Sequence, residues 1–448
     1  MRFLSLAGVV SVAILIAIVP PAADEPPWAE ILAPADTDQR TRPAPQDKVV
    51  WREDLRAALV EARADDRPVF VTLRCLPCKQ CADFDQDVLE GGPRLDPILK
   101  QFVTVRLTDA RNVDLELLPM AGFQDMDLSW WGWMLSPEGR VYGVFGGKDH
   151  VSDATRISVD ALRHTLERVL DHHFDARRAD WDIDGPAPEL TAAARLPADL
   201  PGYASWAARG TEESNCLHCH QVVEIMRQPD LDAGRFDKQR DVDVWPLPEN
   251  VGLVLERDHG LFIERVHAGS AAAATGMRAG DRLAVAGGRR LFGQADFRGV
   301  LHRAPHGDAT ISVRWWRDET LHEGLLELTG AWRDTVLPWR TSISQGNIGA
   351  HPGFAWGNAA SPADRRSLGI PENTMALRPW FGRKGGGPAW EAGLRGADIV
   401  IAVDGESPDV VGRDFMAWFR MRHEPGDRVT LTARRGPGDD RDLSYTLP

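Results

Sequence analysis

Positive charge is in short supply in this chain. Its 52 Lys and Arg stand against 66 Asp and Glu, a formal net charge of −14, which argues against nucleic acid or an anionic membrane surface as partner. Past Val19 there is no apolar run long enough to span a bilayer. Cysteine is sparse too. The 448 residues carry five, and none lies outside two short motifs, Cys75/Cys78/Cys81 and Cys216/Cys219. That clustering argues against a framework of long-range disulfides and for chemistry or ligation. Tyrosine is scarce, three residues against 16 Trp. Trp130, Trp131 and Trp133 form one group, readable either as core or as the lining of a substrate groove. The acidic residues are scattered, with no pair placed for general acid–base work.

What is present begins with an N-terminal segment. Arg2 precedes an apolar run from Phe3 to Val19 and then Pro20-Pro21-Ala22-Ala23. The run fits a secretory h-region, so residues 1–23 are expected to be a signal peptide or a retained N-terminal anchor. The remainder is expected to be exported, periplasmic or secreted. Residues 24–48 are rich in Pro, Ala and Asp and read as a linker.

From residue 49 the pattern becomes globular. Residues 51–64 carry helical spacing, and Val69-Phe70-Val71-Thr72-Leu73 reads as a buried strand. Cys78-Lys79-Gln80-Cys81 follows, and then a helix with Cys81, Phe84 and Val88 on one face. A thiol at such a strand-to-helix junction meets the positive end of the helix dipole, which favours thiolate. A second cysteine one turn inside can resolve a mixed disulfide. This makes Cys78 the candidate nucleophile and Cys81 the resolver, with Cys75 able to join either. A permanent disulfide and a soft-metal site such as Cu(I) on two or three thiolates stay open. Strands at 102–107, 131–135 and 141–145 and a closing helix at 159–174 complete an α-β-α-β-β-α order over residues 49–175.

Residues 176–203 again read as a linker, and 204–246 as a short segment around Cys216-Leu217-His218-Cys219-His220. That motif matches c-type haem attachment through Cys216 and Cys219 with His220 on the iron. A zinc or copper site using His218 or His220 and a second redox pair are compatible as well.

The last two hundred residues hold a repeat. Gly269-Ser270-Ala271 through Met277-Arg278-Ala279-Gly280-Asp281 is matched by Gly387-Pro388-Ala389 through Leu394-Arg395-Gly396-Ala397-Asp398. Each copy continues as a strand ending in Gly, a helix around Phe297 or Phe415, and a strand after a Gly-Asp turn. The copies are expected at 247–330 and 367–448, joined by a linker at 331–366.

The repeat resembles PDZ domains of the bacterial HtrA-like type, which take peptides by strand addition at a carboxylate-binding loop. The resemblance places that loop at His259-Gly260-Leu261-Phe262-Ile263 in the first copy and at Asn373–Leu377 in the second. No Gly-x-Ser-Gly nucleophile loop accompanies the repeat, so an HtrA-type protease is not expected. The N-terminal domain resembles the thioredoxin-like group, with Pro77 where that group carries Trp and Ser129-Trp130 where it carries a cis-proline. The whole order resembles exported bacterial thioredoxin-like/PDZ proteins, some relatives of which are selenoproteins. The resemblance implies a multidomain α/β plus mainly β fold. It also implies a thiol–disulfide oxidoreductase or redox sensor with protein partners at the PDZ repeats. The rival reading is a non-catalytic envelope scaffold or metal-handling protein.

Overall fold

The computed structural model describes residues 26–33, 40–74, 82–120, 123–128, 130–147, 157–185, 187–188, 195–211, 217–242, 244–381 and 386–448. Cys75, Cys78, Cys81 and Cys216 lie outside the described residues.

Five consecutive buried residues make β2 (Val69–Leu73) the kind of strand that can only be central. It pairs in parallel with β3 (Val103–Leu107) and antiparallel with β4 (Trp130–Leu135). β1 (Trp51–Arg52) and β5 (Val141–Gly147) complete a sheet of order β1-β3-β2-β4-β5. The period of two along β2 gives the domain two cores. Val69, Val71 and Leu73 join Leu55 and Leu59 of α2 (Leu55–Asp65) together with Trp131 and Trp133. Phe70 joins Trp130, Met134 and Leu162 on the opposite face. That face carries α3 (Ala82–Glu90), α4 (Gly92–Leu99) and α5 (Val159–His173). Asp54 and Ser158 cap α2 and α5 by accepting from Ala57 and Ala161 N–H. Residues 51–52 are thus a strand, and the first helix of the domain starts at Leu55 rather than at 51. All three tryptophans of the 130–133 group are at most 1% exposed, which makes them core and not groove.

The expected linkers are not free spacers. α1 (Trp28–Leu32) buries Trp28 and Ile31 with Trp181, Ala284 and Val285. A 3-10 turn at Ala176–Asp180 precedes Gly185, whose N–H is donated to Val141 O at 2.9 Å. α6 (Tyr203–Trp206) packs on α7 (Cys219–Asp232).

The first β-rich unit contains β6 (Leu253–Leu255), β7 (Ile263–Val266), a short α8 (Ala271–Ala274), β8 (Arg282–Ala286) and β9 (Arg289–Arg290). It ends with α9 (Gln294–Arg303), β10 (Ala309–Arg317) and β11 (Thr320–Leu328). Its strands form a β11-β10-β8-β9 sheet and a β6-β7 pair. The segment after it holds α10 (Thr341–Ser344). The second unit begins before residue 367, with β12 (Trp356–Ala359) and α11 (Pro362–Leu368). β13 (Leu377–Trp380), α12 (Pro388–Glu391), β14 (Ile399–Val403), α13 (Gly412–Arg422), β15 (Arg428–Arg434) and β16 (Asp440–Thr446) follow, in sheet order β12-β13-β14-β15-β16. No helix among the described residues is long and apolar enough to cross a membrane.

Candidate functional site: a thiol rim of the α/β domain

Because β2 and β3 are parallel, both end at the same rim of the sheet, and β4, running the other way, starts there. Leu73 lies between Leu107 and Trp131, and Arg74 N–H extends the ladder by donating to Leu107 O at 3.2 Å. The chain leaves the rim at Arg74 and returns as α3 at Ala82, so the Cys75–Cys81 motif bridges strand end and helix start. The expected helix face is present in its described part. Phe84 and Val88 are buried, with Phe84 edge-on to Trp130 at 4.9 Å between ring centroids.

One acid at this place was missed by sequence reasoning. Asp85, 3% exposed, accepts from Arg106 Nη2 at 2.8 Å and from Trp130 Nε1 at 3.1 Å. Arg74 Nη1 stands 3.5 Å from the same carboxylate. The signal was available: Asp85 sits four residues after Cys81, on the helix face that also carries the core residue Val88.

The second cysteine motif arrives at the same rim. Leu217 donates its N–H to Asp109 Oδ1 at 3.2 Å and accepts from Ala110 N–H at 3.3 Å, just past the end of β3. Leu217 and Cys219 are buried in the core that also contains Leu73 and Leu107. His220 Nδ1 lies 3.0 Å from Glu224 Oε1, and Trp206 Nε1 donates to Glu224 Oε2 at 3.0 Å. Burial alone would raise the Glu224 carboxyl, but the His220 contact and Trp206 hold it below its usual range. The His218 and His220 rings stack 5.7 Å apart, and burial keeps the His218 imidazole below its ordinary value.

The haem expectation involves Cys216, Cys219 and His220. Cys219 is 6% exposed within the hydrophobic core of the sheet, and Cys216 lies outside the described residues. His220 is oriented through Nδ1 as metal-bound histidines are. Among the described residues, however, no group of three His, Cys, Asp or Glu could hold a metal ion.

The loop expected to receive peptide carboxylates buries Gly260, Leu261 and Ile263 and leaves Phe262 exposed. The His259 ring packs on His164 at 4.8 Å and on Phe262 at 4.3 Å, and its carbonyl accepts from Arg168 at 3.1 Å. Gly260 N–H is donated to Glu256 O. Leu261 O accepts from Leu283 N–H, Ile263 N–H goes to Asp281 O, and Ile263 also faces Leu255 across the β6-β7 pair. Residues 261–263 are therefore paired on both sides and offer no open edge. Likewise Leu377 of the second copy belongs to β13, which lies inside its sheet between β12 and β14. Among the described residues of the β-rich units, the outer strands of the sheets are β11, β9, β12 and β16, and β6 pairs only with β7. Gly252, at φ 88, turns the chain into β6, where a Cβ would meet Ser270 at 2.1 Å. A glycine shortly before the first strand of each unit, Gly252 directly before β6 and Gly353 three residues before β12, was the available sequence signal.

The same rim is crowded by the rest of the chain. The segment preceding β4 contains Asp125, 3% exposed, which accepts from Arg298 of α9 at 2.5 Å and from both Arg340 Nη atoms at 2.8 and 3.1 Å. Asp127 accepts the N–H and hydroxyl of Ser342, both at 2.7 Å.

Comparison with known proteins meets this geometry at one place. Residues 50–121 match the thioredoxin-like family model. They form a thioredoxin-like domain. No curated protein matches the chain. Among solved structures it is similar to the HtrA-type protease AlgW with a tripeptide, at 23% identity and a TM-score of 0.19. That likeness covers 24% of this chain and 34% of the protease chain, so about a third of the relative's length is spanned.

Proposed function

We propose that the protein is an exported thiol–disulfide oxidoreductase or redox sensor whose two β-rich units serve as PDZ-like modules for protein partners. The observation that carries this reading is the place of the Cys75–Cys81 motif. It joins the end of the central strand to the start of α3 inside a domain that matches the thioredoxin-like family. In the reaction, the Cys78 thiolate attacks one sulfur of a partner disulfide. That S–S bond breaks, Cys78 is joined to one partner sulfur, and the other leaves as thiolate. The Cys81 thiolate then attacks Cys78, closing Cys78–Cys81 and releasing the partner as a dithiol. Cys75 supplies a third thiol three residues away.

Leu217, held beside the end of β3, supports Cys216 and Cys219 as a second thiol pair at the same rim. Arg298, Arg340 and Ser342 fill the space next to the loop before β4. This favours a dedicated partner over general disulfide exchange. Partner recruitment by peptide strand addition is assigned to the free edge of β6.

The test is reduction of insulin disulfides and trapping of partners by the Cys81→Ser protein. Catalytic reduction and mixed disulfides that vanish on Cys78→Ser are expected. Unchanged activity and trapping in Cys78→Ser would overturn the mechanism. Thiols inert to every disulfide, with stoichiometric metal on the isolated protein, would favour metal handling instead.

A further inference from the structure

Where α5 meets the first β-rich unit, guanidinium groups gather around Phe292 and the His259 loop. Arg168 of α5 donates through Nε to Phe292 O at 2.8 Å and through Nη2 to His259 O at 3.1 Å. Arg290 of β9 lies over the Phe292 ring, 5.5 Å from its centroid, with Nη1 3.2 Å from His172 Nδ1. Arg282 opens β8, and its backbone bridges Phe262, whose ring packs on His259. All three arginines are half-buried, so each keeps some contact with water. The acceptors that Arg168 and Arg290 meet are carbonyls and imidazoles, and burial holds His172 and His259 uncharged at neutral pH. The Arg282 guanidinium makes no hydrogen bond or ion pair among the described residues.

The carboxylates near this seam serve other groups. Asp296 accepts Val144, Phe292 and Gly293 N–H, and Glu167 pairs with Arg163. Asp171 and Asp175 pair with Arg42 and Arg177. Asp184 binds His172 and Arg178, and Asp281, beside Arg282 in the sequence, binds Arg317. Burial pushes Arg168 and Arg290 down to about 10, and the like charge of Arg282 adds to both. All three guanidinium groups stay protonated at neutral pH. Half-buried cations without a counter-ion are costly, and here three of them face one another across the seam.

We propose that this seam is a binding site for a free, small oxyanion of the phosphate or sulfate class, held between Arg168 of the thioredoxin-like domain and Arg282 and Arg290 of the first β-rich unit. Such an anion offers several acceptor oxygens to planar guanidinium forks, the pairing that Arg makes best. An extended anionic surface is disfavoured, because the chain as a whole carries a formal net charge of −14. Bound here, the anion bridges the two bodies, so its binding stabilises their docking. None of the cysteines takes part, and the site stands apart from the thiol chemistry.

The experiment is calorimetric titration of the full-length protein with inorganic phosphate at constant ionic strength, with thermal unfolding as a second readout. Saturable binding that raises the melting temperature is expected, with sulfate competing and chloride inert. Arg282→Gln removes a guanidinium that holds no other group, so the fold should survive while the dissociation constant rises about ten-fold. Arg290→Gln should weaken phosphate by a similar factor, and Arg282→Lys should keep most of the affinity. Arg428→Gln, at the exposed start of β15 in the other unit, should leave binding unchanged. Circular dichroism checks that each variant is folded; if Arg290→Gln is not, the two Arg282 variants decide. No binding beyond the effect of chloride, or wild-type affinity in folded Arg282→Gln, would overturn the site. An equal loss in Arg428→Gln would mean general charge attraction and would overturn it as well.

Discussion

Among the described residues, five histidines are pushed furthest down by burial. Loss of hydration pushes His172 and His351 down to about 4, and His173, His259 and His302 to about 3. Each has a neighbouring arginine that adds to the effect. In the unfolded chain a histidine titrates near about 6.5, so below that pH the unfolded state takes up protons that the folded state refuses. Stability should be flat above pH 7 and fall as pH drops from about 6.5 toward 4, by up to about 1.4 kcal/mol per pH unit for each fully buried histidine and by less for the half-buried His259, which water screens. Thermal unfolding followed from pH 7.5 to 4.5 checks this. His173 lies 2.7 Å through Nδ1 from the Tyr142 hydroxyl. His173→Gln keeps an acceptor there without the titration, so its melting temperature should depend less on pH. An unchanged slope would place the acid sensitivity elsewhere.

Elements were legible in the sequence where one periodicity ruled, and illegible where tertiary contacts decided. The run Val69–Leu73 and the Phe84/Val88 face of α3 stood out because burial demands those spacings. The repeat of the β-rich units stood out because glycines recur at turns. Trp51–Arg52 became a strand because its neighbour is β3, fifty residues away, which no local pattern reveals. The same holds for residues 261–263. Their sequence resembles a peptide-accepting strand, yet partners on both sides occupy the edge. The thiol rim was half legible: the cysteines announced it, while Asp85, Arg106 and the arrival of Leu217 depend on folding. Elements also meet in ways that composition does not suggest. The edge strand β5 is closed by α9, where Asp296 accepts from Val144 N–H at 2.9 Å and from Phe292 and Gly293 N–H at 2.9 and 3.0 Å. Burial raises the Asp296 carboxyl, and these N–H groups with Arg289 oppose the rise. Asp296→Ala should strand three backbone donors, costing about 2–3 kcal/mol, and should speed hydrogen exchange at Val144. Slow exchange there in the variant would mean that the edge is protected by other contacts.

At the scale of the whole molecule, the thioredoxin-like domain and the first β-rich unit behave as one packed body rather than as modules on strings. Phe292 of the β-rich unit belongs to the core that contains Phe70 and Trp130, and Ala295 packs against the other core. The thioredoxin-like domain is tied on through Asp125, which takes Arg298 from α9 and Arg340 from the segment leading to the second unit. Opposing arginines hold the Asp125 carboxyl below its usual range, although burial pulls the other way. A buried carboxylate serving two arginines cannot be removed quietly, because both cations would stay buried without it. Asp125→Ala should therefore cost about 3–5 kcal/mol. The form of the loss matters more than its size. With docking intact, calorimetry of the wild type should give a single cooperative transition for the two bodies. If Asp125 is the tie, the variant should split into two transitions, the second close to the wild-type temperature, as each unit keeps its own core. A single transition shifted downward in the variant would instead make the apolar contacts of Phe292 and Ala295 the tie, with Asp125 a local contribution to stability.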